Sequence, residues 1–330
     1  MHVCAEPSPV VYEIETYAGR FWMLVRWCLI TAALCSIASA QETAAEKLIE
    51  AGHWKRARAI VEPLYGEAPG NPLANFLMSQ IRAAFGDRET PMSFAERAVA
   101  LDPGTAKYHR QVAEVVGLVA QHSNVFQQIG LARKFRKEID TALVLDPRDI
   151  QANRDLIEFY LLAPGIAGGD IRKAEAIASR IAAIDAAQGF LAQARIAEFR
   201  KQSGDMESFL RRAVEADPAS YRARVALARI TASEEDARRA VQIDGTRVDA
   251  YAVLAELYAD RAEWTKLDAV LSESAAQAPD DLVPYYRAAE RLRRAQRDPQ
   301  RAERYLAIYA SQPPEGNEPA VPRNNTRAAN

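Results

Sequence analysis

The stretch RVDAYAVLAELYADRAEWTKLDAVLSESAAQAP, residues 247–279, contains two apolar stripes at helical spacing with a short polar break between them. Residues three and four apart share one face of a helix, so the first stripe predicts a helix over 248–260. Pro279 ends the second helix, because proline disfavours helical geometry in the residue before it. The stretch therefore predicts two packed helices. The residues expected to meet between them are Leu254, Ala255, Tyr258, Trp264, Leu267, Val270 and Leu271.

A helix stop of the Asp-Pro type recurs along the chain. Alanine-rich segments such as FAERAVALDP (94–103) and FLRRAVEADP (209–218) precede these stops and place small residues on one narrow helix face. The intervals between stops are 34, 44, 39, 32, 27, 34 and 34 residues, which indicates a repeat with insertions and deletions. The stops are Ala68-Pro69, Asp102-Pro103, Asp146-Pro147, Asp185-Ala186, Asp217-Pro218, Asp244-Gly245, Ala278-Pro279 and Gln312-Pro313.

This pattern resembles the tetratricopeptide repeat (TPR) family, whose unit is a 34-residue helix-turn-helix. The resemblance covers essentially all of the chain after residue 40 and implies an all-α fold, a right-handed TPR superhelix or α-solenoid. It also implies that the first helix of each unit lines the concave face. It implies no particular ligand. The eight expected units are 41–69, 70–103, 104–147, 148–186, 187–218, 219–245, 246–279 and 280–313.

The first forty residues have a different character. From Met23 they read MLVRWCLITAALCSIASA, with a basic start, an apolar run and the small-residue site Ala38-Ser39-Ala40. This layout is typical of a secretory signal peptide cleaved after Ala40, and its apolar run is shorter than the about 20 residues of a membrane span. A retained anchor is the alternative, and Met23 rather than Met1 is the alternative start. All three cysteines precede Ala40. We predict an exported protein, periplasmic or associated with the cell envelope.

Composition and motifs argue against several functional classes. The chain has 42 Lys and Arg against 44 Asp and Glu, so no overall positive field would attract nucleic acid or an anionic membrane. After residue 40 the histidines His53, His109 and His122 form no pair on one helix face, and no nucleophile motif such as G-x-S-x-G occurs. We therefore expect a binding protein without catalytic residues, metal, cofactor or small-molecule substrate.

The glycine-rich stretch LLAPGIAGGD, residues 161–170, raises the possibility of a phosphate-binding loop. Its spacing fits neither a dinucleotide nor a P-loop motif, and Asp170 stands where a P-loop has lysine. We predict that Asp170 caps a helix over 171–183 and that the glycines form the turn before it. The stretch adds about five residues to its unit, and the preceding unit has about ten extra residues around 121–130. Both insertions are expected at one edge of the solenoid.

The concave groove is the predicted partner site. Its centre is rich in arginine, and guanidinium groups on a rigid scaffold bind the carboxylates of a peptide well. The residues predicted to bind a partner are Arg110, Glu114, Arg154, Glu158, Gln193, Arg222, Arg229, Glu256, Tyr286 and Arg293. The same exposed stripe is expected to include Phe76, Gln80 and Glu290.

These observations predict an exported TPR scaffold or adaptor that binds a protein or peptide partner in cell-envelope assembly or export. One alternative is a subunit of an envelope machine that docks through residues 121–130 and 163–170. A second alternative is an enzyme or small-ligand binder at those two loops. The block DLxxFYLxAPGIxGG also looks like one shared by a subset of exported bacterial TPR proteins. Residues 314–330, rich in proline, asparagine and charge, are predicted to be disordered.

Overall fold

The computed structural model describes residues 41–319. The predicted signal peptide, its cleavage after Ala40 and the alternative start at Met23 lie outside the described residues, as does the end of the tail, residues 320–330.

Sixteen α-helices and one short 3-10 helix make up the regular structure of residues 41–319, and this part contains no β-strand. The helices, numbered in chain order, are α1 (41–51), α2 (Trp54–Glu67), α3 (Pro72–Ala84), α4 (Pro91–Leu101), α5 (Ala106–Ala120), α6 (Val125–Leu145), α7 (Ile150–Leu162), α8 (Ile171–Ile184), α9 (Ala186–Phe199), α10 (Ser203–Ala216), α11 (Tyr221–Thr231), α12 (Glu234–Ile243), α13 (Asp249–Arg261), α14 (Trp264–Gln277), α15 (Val283–Arg294) and α16 (Pro299–Tyr309). The 3-10 helix, Gly165–Ala167, lies between α7 and α8.

The helices form eight consecutive pairs, from α1 with α2 to α15 with α16, which we number as repeats 1 to 8. From α2 onward each helix packs on its chain neighbours. Odd-numbered helices of successive repeats also touch one another, as α3 does with α5 and α13 with α15. The odd helices therefore form the inner layer of a curved stack. This is the predicted all-α TPR superhelix of about eight repeats.

The recurring aspartate at the helix stops has a structural role beyond that of the proline beside it. Asp102, Asp146, Asp217 and Asp244 each follow the last residue of a second helix. Their carboxylates accept a hydrogen bond from the backbone N–H two residues later, at 2.9–3.1 Å. Such side-chain turns satisfy backbone groups outside the helix. The Asp therefore turns the chain toward the next repeat even at Asp244, which glycine rather than proline follows.

The core is continuous along the stack and rich in small residues. In repeat 7 the predicted contact residues Leu254, Tyr258 and Leu267 are fully buried, and Trp264 is half-buried at the edge of the same cluster. Alanines occupy many of the closest helix contacts, including Ala57, Ala98 and Ala178 at 0% exposure. Small side chains let two helix axes approach closely, and a bulky neighbour then fills the remaining space.

The ends of the stack meet, because repeat 1 contacts repeats 7 and 8. The Arg56 guanidinium in α2 donates two hydrogen bonds to the Asp280 carboxylate, which precedes α15, at 2.5 and 2.8 Å. The Lys55 ammonium donates to the Asp280 carbonyl oxygen at 2.5 Å. These bonds join residues more than 220 positions apart. The first repeat is therefore joined directly, by side-chain hydrogen bonds, to the residues that precede the last helix pair.

Residues 314–319 complete this contact, and we refer to them as the tail segment. Glu315 is 4% exposed, and the Asn317 N–H donates to the Ala84 carbonyl oxygen at 2.7 Å. The Tyr309 hydroxyl donates to the Pro319 carbonyl oxygen at 2.6 Å. This arrangement differs from the disorder predicted from residue 314. Its cause is specific hydrogen bonding to repeats 1, 2 and 8, which requires no apolar periodicity in the segment itself.

Candidate functional site

A cavity of about 350 Å³ lies on the inner layer between repeats 4 and 6, and we call it the arginine cavity. Helices α7, α9 and α11 supply most of its wall, with Met206 and Leu210 from α10 behind them. In α11 Arg222, Ala226 and Arg229 follow at intervals of four and three, which places all three on one face. Arg154 of α7 reaches the same cavity.

Three of the four arginines that line this cavity, Arg154, Arg222 and Arg229, have unused hydrogen-bonding capacity. Arg222 and Arg229 are exposed, and within residues 41–319 neither has an ion-pair partner. The Arg154 guanidinium has a 3.4 Å hydrogen bond to the Gln151 side chain, and burial lowers its pKa. Asp155 and Glu158 favour its charged form, but within residues 41–319 neither lies at ion-pair distance from it. A partly buried cation without an ion-pair partner favours a negatively charged ligand, since the ligand restores the interactions lost with water.

The acidic residues of the cavity are already paired. Arg195 donates two hydrogen bonds to the Glu158 carboxylate, each 2.8 Å long, and a third to Glu198 at 3.2 Å. Such a two-bond pairing neutralises a carboxylate with defined geometry. Since Arg195 neutralises much of the negative charge of Glu158 and Glu198, the remaining charge at the cavity is positive. The arrangement suits a carboxylate of a peptide.

The structure brings four of the ten predicted groove residues into this cavity: Arg154, Glu158, Arg222 and Arg229. Two others, Arg110 and Glu114, form an ion pair with each other, and the Arg110 side chain is only 14% exposed. A second ion pair joins Arg110 to Asp149 at 3.6 Å. The i, i+4 spacing of Arg110 and Glu114 was a signal of this pairing in the sequence. Arg110 is therefore not a free ligand for a partner.

The remaining predicted residues lie elsewhere. Gln193 and Glu256 are half-buried and do not line this cavity. Tyr286 packs on Tyr309 with ring centres 5.1 Å apart, and Arg293 is half-exposed beside Glu290, 3.5 Å away. The expectation of an exposed Phe76 is wrong. Its side chain is 3% exposed because it packs against the ring of Tyr108 in the core of repeats 1 to 3.

A larger cavity of about 580 Å³ lies between repeats 2 and 4, and we call it the insertion cavity. Both sequence insertions contribute to its wall, which also includes Gln80 and Glu114 of the predicted groove stripe. Its other wall residues include Leu118, Leu131, Phe135, Phe159, Leu162 and Pro164. Burial, together with repulsion from Glu114, raises the pKa of Asp155 at its edge to about 7. Sequence reasoning missed two further wall residues: Trp54, which packs on the core of repeats 1 to 3, and Asn317, which the tail segment brings here.

The glycine-rich stretch forms the predicted turn. The Asp170 carboxylate accepts from the Arg172 N–H at 3.0 Å and caps α8, which ends at Ile184, one residue beyond the prediction. Gly168 has φ +104°, a left-handed conformation that glycine adopts without strain. Asp170 also donates its N–H to the Tyr160 carbonyl oxygen at 2.9 Å, which ties the turn to α7. The capping carboxylate takes the place that a phosphate would need.

The insertion at 121–130 differs from the prediction, which placed it in the turn between two helices. Only residues 121–124 form the turn, and α6 begins at Val125 and continues for 21 residues. Asn124 and Gln127 form a reciprocal capping box, with bonds of 3.0 and 3.3 Å. This cap starts the helix early, so the extra residues lengthen the helix rather than the turn.

Replacing Gly169 with alanine should destabilise this turn strongly. A Cβ at Gly169 would lie 1.9 Å from the Ala163 carbonyl oxygen, and backbone cannot yield as a flexible side chain can. We expect a loss of about 3 kcal/mol in urea unfolding, at the upper end of overpacking effects. The matched control is Gly165→Ala in the same turn, where a Cβ meets nothing within 4 Å. Equal stability of the two variants would contradict the prediction.

Taken together, these features define the class of the protein as an all-α TPR superhelix. The thermophilic TPR protein TTC0263 of Thermus thermophilus is similar in structure, with a TM-score of 0.51 at 16% identity. The match covers 59% of this chain and 100% of that protein, and it establishes the fold alone.

Two further solved structures are similar at lower TM-scores, which add nothing to the fold assignment. PilW, described as a type IV pilus biogenesis factor, has a TM-score of 0.43 at 16% identity, covering 71% of this chain and 98% of PilW. A tetratricopeptide repeat protein from Parabacteroides merdae ATCC 43184 has a TM-score of 0.41 at 12% identity, and the match covers 77% of this chain and 98% of that protein. No family model matches the chain. No curated protein matches it either.

No three His, Cys, Asp or Glu side chains in residues 41–319 converge as metal ligands would. None of the helices there is long and apolar enough to cross a bilayer.

Proposed function

We propose that this protein is an exported scaffold that binds an acidic peptide segment of a partner protein through the arginine cavity. The observation that carries the proposal is the convergence of Arg154, Arg222 and Arg229 on one cavity, with the nearby acids already paired to Arg195. The mechanism is recognition by a preorganised surface rather than catalysis. The arginines stand on packed helices, so little conformational entropy is lost when a carboxylate binds.

The cell-envelope location is part of this proposal. It is supported by the small-residue cleavage pattern after an apolar run and by the confinement of all cysteines to residues 1–40. The partner would then be a protein of envelope assembly or export, bound outside the cytoplasm.

Reversing the charge of Arg154, Arg222 and Arg229 to glutamate should abolish capture of the partner from cell envelopes. Each arginine that binds a carboxylate contributes about 1.5–3 kcal/mol, so loss of three such contacts exceeds a hundredfold in affinity. The measurement is affinity capture with the chain after residue 40, followed by direct titration of the captured protein.

The matched control reverses three exposed arginines away from the cavity, Arg88, Arg97 and Arg172, and changes the net charge by the same amount. Capture by the control and not by the cavity variant would support the proposal. Undiminished capture by the cavity variant would contradict it, and equal loss in both would assign the binding to overall charge.

A second candidate is docking of a larger envelope assembly on the edge formed by the two insertions. It is favoured by apolar side chains there that are unusually exposed for their size: Leu118 at 46%, Leu162 at 65%, Ile166 at 81% and Phe126 at 88%. Clustered exposed apolar side chains mark interaction surfaces more often than isolated ones do. Polar substitution of Phe126 and Ile166 should remove a partner that the arginine variant retains.

A further inference from the structure

The tail segment occupies a narrow slot on repeats 1 and 2, which we call the end slot and define by Trp54, Lys55 and Ala84. The chain enters it through Pro313 and Pro314, whose fixed φ angles favour an extended backbone. Three successive residues, Glu315, Gly316 and Asn317, then make one specific contact each. This is the geometry of a bound peptide, supplied by the chain itself.

The first contact is at the start of α2. The Glu315 carboxylate accepts a hydrogen bond from the Lys55 backbone N–H at 2.5 Å. The N-cap residue, His53, offers this helix no side-chain hydrogen bond. The first N–H groups of a helix have no partner within it, and a carboxyl oxygen placed there accepts from one of them. Glu315 therefore supplies from a distant position the cap that the local sequence lacks.

The second contact selects glycine. A Cβ placed on Gly316 would lie 2.7 Å from Cγ of Trp54, 2.8 Å from its Cβ and 3.1 Å from Cβ of Ala84. The near atoms belong to the root of the indole and to a helix residue, neither of which can move away easily. The slot thus accepts a residue without a side chain at this position.

The third contact is a backbone bond at the end of α3. The Asn317 N–H donates to the Ala84 carbonyl oxygen at 2.7 Å. The last carbonyl groups of a helix have no partner within it. The slot therefore lies between the start of one helix and the end of the next and uses the free groups of both.

Residues 315–318 form a turn, in which the Glu318 N–H donates to the Glu315 carbonyl oxygen at 3.3 Å and Asn317 has φ +66°. We propose that the end slot is a peptide-binding site for Glu-Gly-Asn segments in this turn conformation, and that a partner bearing such a segment displaces residues 314–319. The site is distinct from the arginine cavity in its residues and in its ligand. The tail segment, held on the same chain, competes at the effective concentration of about 1 mM or more typical of short tethers. Free peptide therefore binds the intact protein weakly, and release of the tail segment opens the site.

The test uses the full chain and a fluorescent synthetic peptide of residues 312–319 as the probe. Gly316→Ala is expected to release the tail segment, which hydrogen exchange of the Asn317 amide reports directly. The variant should then bind the probe at least tenfold more tightly than the unmodified protein does. The same probe with alanine in place of glycine should not bind. The matched control is Gly70→Ala, in the turn between α2 and α3, where a Cβ meets nothing within 4 Å.

Gly316→Val serves as a second variant if alanine is tolerated. Protection of the Asn317 amide in both variants would overturn the proposal, because the slot would then not select glycine. The proposal would also be overturned if the Asn317 amide of Gly316→Ala exchanged freely but this variant did not bind the probe. Equal binding of the probe by the variant and by the unmodified protein would overturn it as well. A dimer of the unmodified protein, in which each copy supplies the tail of the other, would contradict occupancy within one chain.

Discussion

Replacing Gly189 with alanine should lower the free energy of unfolding by about 3 kcal/mol, the upper end of the usual overpacking range. Gly189 lies in the first turn of α9, where a Cβ would stand 2.4 Å from Cα and Cβ of Ala182 and 2.8 Å from its backbone nitrogen. These atoms belong to the last turns of α8, so relief requires the two helices to separate. Equilibrium urea unfolding measures the loss.

The control for this substitution is Gly130→Ala, which lies inside α6 and where a Cβ meets nothing within 4 Å. Alanine is favoured over glycine inside a helix by about 1 kcal/mol, so this variant should be more stable than the unmodified protein. The same chemical change is therefore expected to have opposite signs at the two positions. Stabilisation by Gly189→Ala would show that α8 and α9 are not in close contact.

The equilibrium constant for closure of the tail segment on the end slot should fall at least tenfold as the pH is raised from 5 to 8. Burial raises the pKa of Glu315 and of Glu318 to about 7 and that of Asp281 to about 6. The closed state therefore binds protons that the open state releases, since an exposed carboxyl titrates near pH 4. The stabilisation is complete below about pH 4 and is lost as pH rises through 6 and 7.

Lys55 and Arg287 also face these carboxyls. The Glu315 carboxylate accepts from the Lys55 N–H at 2.5 Å, and Glu318 lies 3.9 Å from Arg287, so the ionised forms are partly compensated. The protection factor of the Asn317 amide, corrected for intrinsic exchange, measures the closed population across this range. Glu315→Gln removes one of the titrating groups and should flatten the dependence. Tighter closure at pH 8 than at pH 5 would contradict the assignment.

The repeats could be predicted from the sequence because their determinants are local. The Asp-Pro stops, the small-residue faces and the period of about 34 all act within one helix pair, and the core of repeat 7 follows the predicted pattern. Arg222 and Arg229 could be placed together for the same reason, since their spacing fixes one face of α11. These features required no knowledge of how the ends of the chain are arranged.

The contact between the two ends of the stack could not be predicted from the sequence in this way. The bond from Lys55 to Glu315 spans 260 positions, and its partners have no apolar pattern that would single them out. The tail segment has the composition of a disordered region, yet it is held by backbone and carboxylate hydrogen bonds to helix ends. Such bonds depend on the summed curvature of eight repeats. No window of sequence contains that information.

Contact between the two ends also constrains how this protein can change in length. An open solenoid tolerates gain or loss of a whole repeat, because each unit interacts only with its neighbours. Here the bonds from Arg56 to Asp280 and from the Asn317 N–H to the Ala84 carbonyl oxygen require the two ends to meet in register. Adding or removing one repeat would displace the last helix pair by a full unit and separate these partners. The number of repeats is thus fixed by the geometry of the whole molecule, as it is in a closed β-barrel or propeller.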